Sequence, residues 1–287
     1  MTNTCAEVVQ EPLIKWPGGK RQLLGELRKR LPPVIKHYVE PFFGGGALFF
    51  GLVQTKTIDP SKALICDANE VLIDLYRRVA ATPDLVWLAI DRLAEEYAKL
   101  DTESKEKMYY KIRKDFNECA YGEADATRLV FLNRTCFNGL WRVNKSGAVN
   151  SPWGKSEAPH WPALERYRKA AEALKGAAIK SGDYQLNYSF LRPAAADTFI
   201  YLDPPYPGGF AAYTAGGGAF SQKVLFDWAQ QAVVRGAKVM VSNADHPEIH
   251  QLYGSLSGWR IDVVQARRAI NRDGAGRTGS EVIITSY

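Results

Sequence analysis

The sequence predicts an α/β fold in which the sheet is interrupted by an insert and then completed. Three observations support this. Short apolar strands alternate with helical periodicity in the first third of the chain. Between residues 83 and 162 the pattern changes to charged helices and then to a stretch rich in Asn, Gly and aromatic residues. Strand and helix then alternate again. We therefore predict a main α/β domain, residues 1–82 and 163–287, and a mostly helical insert, 83–162, that ends in a hairpin.

Hydrophobic periodicity and chain breakers define the individual elements. Before the insert they predict a strand around Tyr38 to Glu40, a helix from Ala47, a strand from Ala63 to Cys66 and a helix from Glu70 to Ala80. After the insert we expect a helix near residues 163–174. The alternation of strand and helix then resumes with AAIKSGDY, TFIYLDPPY, a helix in KVLFDWAQQAVVRG, a strand in AKVMVSN, and closing strands in WRIDVVQA and SEVIITSY. Ligand-binding residues are expected where the parallel strands end.

Composition restricts the class of protein without identifying it. The 37 Lys and Arg residues exceed the 31 Asp and Glu residues by 6, which mildly favours a polyanionic partner. The four cysteines form no CxxC pair, which argues against a disulfide framework or a zinc knuckle and favours a reducing cytoplasm. We find no export signal and no apolar stretch long enough to span a bilayer, so we expect no membrane association.

A glycine loop follows the first predicted strand. Residues Glu40 to Gly46 read EPFFGGG and lead into a helix, and the glycines allow a tight turn and close approach of the backbone to a ligand. A plain glycine-rich turn would explain this cluster alone. Asp67, at the end of the next strand, stands where an acidic side chain accepts hydrogen bonds from ribose hydroxyls. Together the two features predict a nucleoside cofactor at the sheet edge.

The tetrapeptide Asp203-Pro204-Pro205-Tyr206 follows the apolar strand TFIYL. The prolines fix their φ angles, so their carbonyls can point rigidly at a planar substrate. The aspartate can accept hydrogen bonds from an amino group, and the tyrosine can stack on the base that bears it. Such hydrogen bonds would favour attack of an aryl-type amine on a sulfonium methyl without a metal. The alternative is a Pro-Pro turn that merely caps the strand.

Several motifs in this order resemble the Dam-type (D12 class, DPPY) adenine-N6 DNA methyltransferases. The resemblance covers most of the chain. It rests on KWPGGK at residues 15–20, the EPFFGGG loop, the D-x-N of Asp67 and Asn69, LNR and FNGL with Arg142 in the insert, and on GDY, DPPY, Ser242-Asn243 and Arg267-Arg268. It implies a Rossmann-like methyltransferase sheet, S-adenosylmethionine as cofactor, and a flipped adenine facing the catalytic tetrad Asp203 to Tyr206.

The resemblance also implies which residues surround the cofactor. Asp67 would hold the ribose, and Asp183 would lie near the adenine. The expected cofactor-binding residues are Lys15, Trp16, Gly18, Gly19, Lys20, Glu40, Pro41, Phe42, Gly44, Gly46, Asp67, Asn69, Asp183, Tyr184 and Asp203.

A second set would contact DNA. Phe137 would wedge into the base stack, Asn138 would meet the partner base, and Arg142 can give a bidentate contact to guanine. The expected DNA-binding residues are Lys15, Asn133, Arg134, Phe137, Asn138, Gly139, Leu140, Arg142, Asn144, Pro152, Arg267, Arg268, Arg272 and Arg277. Core packing is the alternative for Phe137 and Leu140, and a solvated hairpin tip is the alternative for the C-terminal arginines.

The remaining expectations concern metals and partners. His246 and His250 are spaced as two ligands on one helix face but lack a third ligand, so we predict a solvated helix start and no metal. We expect a cytoplasmic monomer, in a prokaryotic cell or a phage-infected host, that acts on double-stranded DNA, with GATC as a candidate site. The alternatives are methylation of RNA adenine or of cytosine N4, and a catalytically silent DNA-binding module.

Overall fold

A seven-stranded sheet forms the centre of the protein in the computed structural model, which describes residues 12–16, 18–118, 123–186, 195–207, 220–255, 257–267 and 278–287. The strands are β1 His37–Glu40, β2 Ala63–Asp67, β3 Ala178–Ser181, β4 Thr198–Leu202, β5 Lys238–Ala244, β6 Arg260–Arg267 and β7 Thr278–Thr285. Their order is β3-β2-β1-β4-β5-β7-β6. The first five are parallel, and β7 runs antiparallel to both of its neighbours. The predicted α/β class is confirmed.

The helices lie where local sequence signals favour them. They are α1 Leu24–Arg28, α2 Ala47–Gln54, α3 Glu70–Ala81, α4 Pro83–Ala98, α5 Thr102–Glu118, α6 Glu123–Thr135, α7 Leu164–Leu174, α8 Gln222–Val234 and α9 Pro247–Gly254. Asn69 and Ser221 begin α3 and α8 as N-caps, because their side chains accept hydrogen bonds from backbone N–H groups of the first turn. None of the helices in the described ranges is long and apolar enough to cross a membrane.

The strand order creates a crevice at the carboxyl edge of the sheet. The chain passes from β1 to β2 on one side, whereas β4 pairs with β1 on the other side, so the order reverses between β1 and β4. Ligands bind at such a switch point in open α/β sheets. The whole of β4 is buried, which matches a central parallel strand and explains its continuous apolar run TFIYL. The residues that follow β1, β2 and β4 therefore meet at one place.

The insert differs in part from its sequence prediction. Its helices share one continuous hydrophobic core with one face of the sheet. The residues predicted to begin the hairpin instead form the last turns of α6, and Leu129 to Leu132 are all buried. A helix buried on several faces has no amphipathic pattern, which explains the wrong assignment. The rest of the hairpin has two isolated antiparallel bridges, Cys136 with Trp153 and Val143 with Val149.

Candidate active site

A cavity of about 580 Å³ opens at the crevice between β1 and β4. Its volume lies within the range of about 300–1,000 Å³ that is typical of small-molecule sites. All four residues of the predicted catalytic tetrad line it. So do the expected cofactor-binding residues, except Lys15 and Asn69: Trp16, Gly18, Gly19, Lys20, Glu40, Pro41, Phe42, Gly44, Gly46, Asp67, Asp183, Tyr184 and Asp203. The glycine loop and the tetrad, remote in sequence, thus share one space.

The glycine loop has a backbone that other residues rarely adopt. Gly44 and Gly46 have φ angles of +48° and +65°, in the left-handed region. A Cβ atom on Gly44 would also lie 2.7 Å from Cδ1 of Trp16. The hydroxyl of Tyr76 donates to the carbonyl of Gly44 at 3.0 Å. The loop is therefore held from behind while its other side faces the cavity.

Asp67 fixes the same loop. Its Oδ2 accepts a hydrogen bond from the backbone N–H of Gly44 at 2.8 Å, and its Oδ1 accepts one from the N–H of Asn69 at 2.9 Å. Burial raises the pKa of Asp67, and these backbone donors partly offset that rise. Asn69 was expected at the cofactor, but its side chain accepts from the N–H of Leu72 and caps α3. Asp67 therefore lines the cavity and fixes the glycine loop, whereas Asn69 lies outside the cavity lining and caps α3.

Aromatic side chains form one wall of the cavity. The ring of Phe42 lies 5.1 Å from that of Tyr184 and 5.7 Å from that of Phe220, centroid to centroid. Asp183 lies beside this wall, is exposed, and accepts a hydrogen bond from the N–H of Gln185 at 2.7 Å. An aromatic, apolar wall with a carboxylate at its margin suits a nucleobase.

The carboxylate of Asp203 is anchored at two points. Its Oδ1 lies 2.9 Å from Lys20 Nζ and accepts a hydrogen bond from Ser242 Oγ at 2.9 Å. The hydroxyl of Tyr201 donates in turn to Ser242. Burial raises the pKa of Asp203, while the Lys20 ammonium and the Ser242 hydroxyl limit that rise. Lys20 was expected only at the cofactor, but the structure pairs it with the catalytic candidate.

Hydrogen bonds also fix Pro205 and Tyr206, the last two residues of the tetrad. The carbonyl of Pro205 accepts a hydrogen bond from Gln222 Nε2 at 2.7 Å, and Asn243 Nδ2 donates to Gln222 Oε1 at 3.0 Å. The hydroxyl of Tyr206 donates to Glu281 Oε2 at 2.6 Å. Sequence reasoning missed Gln222 and Glu281. The available signal for Glu281 was the single charged residue in the run SEVIIT, and such a residue also occurs in strands that form no site.

Glu40 is a further acid at the cavity, and it is more deeply buried than Asp67, Asp183 and Asp203. Its side chain is buried and accepts a hydrogen bond from the hydroxyl of Tyr38 at 2.8 Å. Burial raises the pKa of Glu40 well above its usual value, and the nearby carboxylates of Asp203 and Asp67 raise it further. This favours the protonated form of Glu40, so repulsion among the three acids is limited.

Two residues expected at the DNA face point inward instead. Asn133 is 1% exposed, and its side chain accepts from the N–H of Lys15 at 2.7 Å and donates to the Lys15 carbonyl at 2.6 Å. Arg134 is 8% exposed and donates to the carbonyl of Leu13 at 2.5 Å. Buried polar side chains of this kind satisfy backbone groups. Asn133 and Arg134 therefore attach the N-terminal segment to the insert and are not placed to contact DNA.

The other insert residues expected to contact DNA are exposed or half-buried, except Gly139, which is buried. Phe137 is 51% exposed, which excludes core packing as its role, and Asn138 beside it has a φ of +55°. Pro152 is exposed, and its carbonyl accepts from the N–H of Phe137 at 2.9 Å. Gly139 packs against the aliphatic part of Lys15. They lie on one loop, residues 136–153, which we call the recognition loop because the sequence predicts its DNA contacts there.

Three more predicted contacts belong to this loop. Leu140 and Arg142 are half-buried. Asn144 is exposed, and its side-chain oxygen accepts hydrogen bonds from the N–H groups of Ser146 and Ala148, which closes a tight turn. Contacts of Leu140, Arg142 and Asn144 with bases remain predictions.

The last predictions to compare with the structure concern the C-terminal arginines and the two histidines. Arg267 is the last residue of β6, and Arg268, Arg272 and Arg277 lie outside the described residues. His246 caps α9, as predicted for a helix start, and His250 Nε2 lies 2.7 Å from Asp245 Oδ1. Within the part of the chain that the structure describes, no cluster of three or more His, Cys, Asp or Glu residues is arranged to hold a metal ion.

Comparisons with known proteins point to one family. Residues 16–270 match the model of the D12 class N6 adenine-specific DNA methyltransferases. The type II methyltransferase M.MjaIII of Methanocaldococcus jannaschii is 34% identical over 96% of this chain and 99% of its own. A DNA adenine methylase of Vibrio cholerae is 32% identical over 97% and 96%.

Two further matches are of more limited scope. The DNA N-6-adenine-methyltransferase of Escherichia phage P1 is 32% identical over 93% of this chain and 34% of its own. A solved structure, the rRNA methyltransferase aviRa of Streptomyces viridochromogenes, covers 98% of this chain and 90% of its own, with 15% identity and a TM-score of 0.38. That similarity is too low to bear on function.

Proposed function

The chain belongs to the D12 class of N6 adenine-specific DNA methyltransferases, and we propose that it transfers the methyl group of S-adenosylmethionine to an adenine flipped out of duplex DNA. The observation that carries this proposal is the single cavity shared by the glycine loop and the tetrad. A donor bound against the loop and a base facing the tetrad would have their reacting atoms in the same space. Such proximity is a large part of catalysis for two-substrate transfers.

The residues present fit S-adenosylmethionine. The aromatic wall of Phe42 and Tyr184 suits its adenine, Asp67 suits its ribose, and the glycine loop allows close approach of the chain. When bound, the cofactor supplies an electrophilic methyl group on a sulfonium. The loop and the wall bind and orient it.

Asp203 polarises the adenine amine in this proposal. Its carboxylate accepts a hydrogen bond from one N6 hydrogen, and the carbonyl of Pro204 accepts a hydrogen bond from the other. The carbonyl of Pro205 is not assigned this role because it already accepts a hydrogen bond from Gln222. These bonds draw the nitrogen lone pair out of conjugation with the ring. Lys20 favours the ionised form of Asp203, which can then accept the proton that leaves N6.

The recognition loop supplies the DNA contacts. Phe137 enters the base stack, Asn138 meets the base left unpaired, and Arg142 reads a guanine. Lys15, whose side chain packs against Gly139 of this loop, also contacts a base in this proposal. The C-terminal arginines hold phosphates. We propose GATC as the candidate site, and we place the enzyme as a monomer in the cytoplasm of a prokaryotic cell or a phage-infected host.

Mapping the modified bases tests the function. The purified protein is incubated with methyl-labelled S-adenosylmethionine and mixed-sequence duplex DNA, single-stranded DNA or RNA, and every labelled base is identified. We expect N6-methyladenine at one short duplex site. Label in RNA, or on cytosine N4, would replace the proposal with one of those reactions. DNA binding without any label would indicate a silent binding module.

A further inference from the structure

Glu281, on the antiparallel strand β7, contacts the catalytic tetrad through Tyr206. It lies on β7, opposite Ala244 of β5 and Val264 of β6, so pairing on both sides fixes its backbone. The next three residues, Val282 to Ile284, are fully buried. The half-buried carboxylate of Glu281 reaches Tyr206, whose hydroxyl donates to it at 2.6 Å. Hydrogen bonds to ionised acceptors are shorter and stronger than neutral ones.

Tyr206 is therefore held at two points. Lys20 Nζ lies over its ring, 4.9 Å from the centroid, and Glu281 holds its hydroxyl. A cation over an aromatic face is attractive, and a carboxylate on the hydroxyl increases the electron density of the ring. Because Lys20 occupies one face, a base can stack only on the other. The two contacts together fix the plane on which that base would lie.

The same Lys20 ammonium pairs with Asp203, so a chain of contacts runs from Asp203 through Lys20 and Tyr206 to Glu281. The side chain of tyrosine has two torsions, each with more than one favoured rotamer. Without Glu281, the ring can swing away from Lys20 and from the position that faces Asp203. A misplacement of about 1 Å can reduce a rate by about 10²-fold.

We propose that Glu281 is a positioning residue that fixes the ring of Tyr206, and with it the adenine that stacks on this ring, relative to Asp203. This inference rests on the proposed function, because it names what orients the base at that same site. Glu281 itself touches neither the base nor the cofactor in this role.

The test compares single and double variants. Glu281→Ala removes the acceptor, and Tyr206→Phe removes only the hydroxyl. We expect each to lower kcat about tenfold with unchanged affinity for S-adenosylmethionine, and the double variant to be no worse than either single one, because both remove one interaction. Glu281→Gln keeps an acceptor oxygen and should restore most of the rate.

A spectroscopic readout separates positioning from folding. With 2-aminopurine as the target base, Glu281→Ala should still flip the base but show altered fluorescence, because stacking on the ring changes. Asp262→Ala is a matched control, because it removes an acid from the adjacent strand β6. The carboxylate of Asp262 lies away from the cavity, with its Oδ2 2.7 Å from Arg30 Nε. The control should leave kcat and the fluorescence unchanged.

Several results would overturn the inference. Wild-type kcat in Glu281→Ala would do so, as would additive losses in the double variant. An equal loss in Asp262→Ala would show a general effect of disturbing the sheet. If the wild-type enzyme methylates no adenine in DNA, the proposed function fails and this inference fails with it. An active wild type with an unaffected Glu281→Ala contradicts only the role of Glu281.

Discussion

The cavity and the recognition loop are built in opposite ways. In the cavity, the charged groups beside the tetrad are largely shielded from solvent and have several partners: Asp203 contacts both the buried Lys20 and Ser242. On the loop, Phe137 is half-exposed, and two isolated bridges are the only strand-like pairing among its described residues. Preorganised polar groups suit chemistry, because they need not move during the reaction. Exposed side chains on a lightly paired loop suit a surface that adapts to DNA.

This difference predicts how substitutions act in each region. Removing one partner of a buried charge pair leaves the other charge without compensation, which is costly. Removing an exposed side chain costs only its own contacts with the ligand. Substitutions in the cavity should therefore abolish or strongly reduce the reaction, whereas those on the loop should change preference among DNA sites.

The largest effect is expected for Asp203→Ala. Loss of a general base typically costs about 10²–10⁴-fold in rate, and here the substitution also leaves Lys20 buried beside an apolar side chain. Single-turnover methylation should become undetectable or nearly so, while binding of DNA and of S-adenosylmethionine persists. Near-normal turnover in the folded variant would contradict the mechanism.

A smaller effect is expected for Asp67→Ala. One charge-assisted hydrogen bond to the ribose is worth about 1.5–3 kcal/mol, which corresponds to roughly 10- to 150-fold in affinity. Calorimetry should show weaker binding of S-adenosylmethionine and nearly unchanged binding of DNA. Because Asp67 also holds the N–H of Gly44, Asp67→Asn serves as the control that keeps an acceptor there. Unchanged cofactor affinity in Asp67→Ala would remove this residue from the site.

Lys20→Gln should change the pH dependence. Burial raises the pKa of Asp203 and Lys20 lowers it, so loss of the ammonium raises this pKa further. Because the reaction needs the ionised carboxylate, activity is lost as the pH falls through this pKa. The acid limb of the kcat/KM profile should therefore move to higher pH in the variant, and activity at a fixed pH on that limb should fall about tenfold if the pKa rises by one. An unmoved acid limb would show that Asp203 does not control it.

The smallest effect on the rate of methylation at the cognate site is expected for substitutions on the recognition loop. Arg142→Ala should relax preference at one position, since a bidentate base contact is worth about 1–3 kcal/mol of discrimination. Arg272→Ala, outside the described residues, should instead lower all rates alike and flatten the salt dependence. Rates on oligonucleotides that differ by one base pair, at several salt concentrations, distinguish the two. A constant cognate to near-cognate ratio in Arg142→Ala would assign Arg142 to phosphate binding.

Much of the fold and part of the site were predictable because they depend on neighbours in sequence. The strand TFIYL, the helix at Glu70 and the glycine loop follow from local periodicity and backbone preference. DPPY is equally local, since its prolines fix their own φ angles. These motifs, in their order along the chain, were sufficient to identify the family.

The partners of these motifs were decided by the tertiary structure. Ser242 meets Asp203, and Glu281 meets Tyr206, because β4, β5 and β7 lie in that order. Asn133 turns inward because residue 15, which lies 118 positions earlier, packs against it. Periodicity shows which face of an element is buried, but it does not show which distant element covers that face. The sequence by itself therefore determined the type of chemistry, and the packing of distant segments determined which side chains hold it in place.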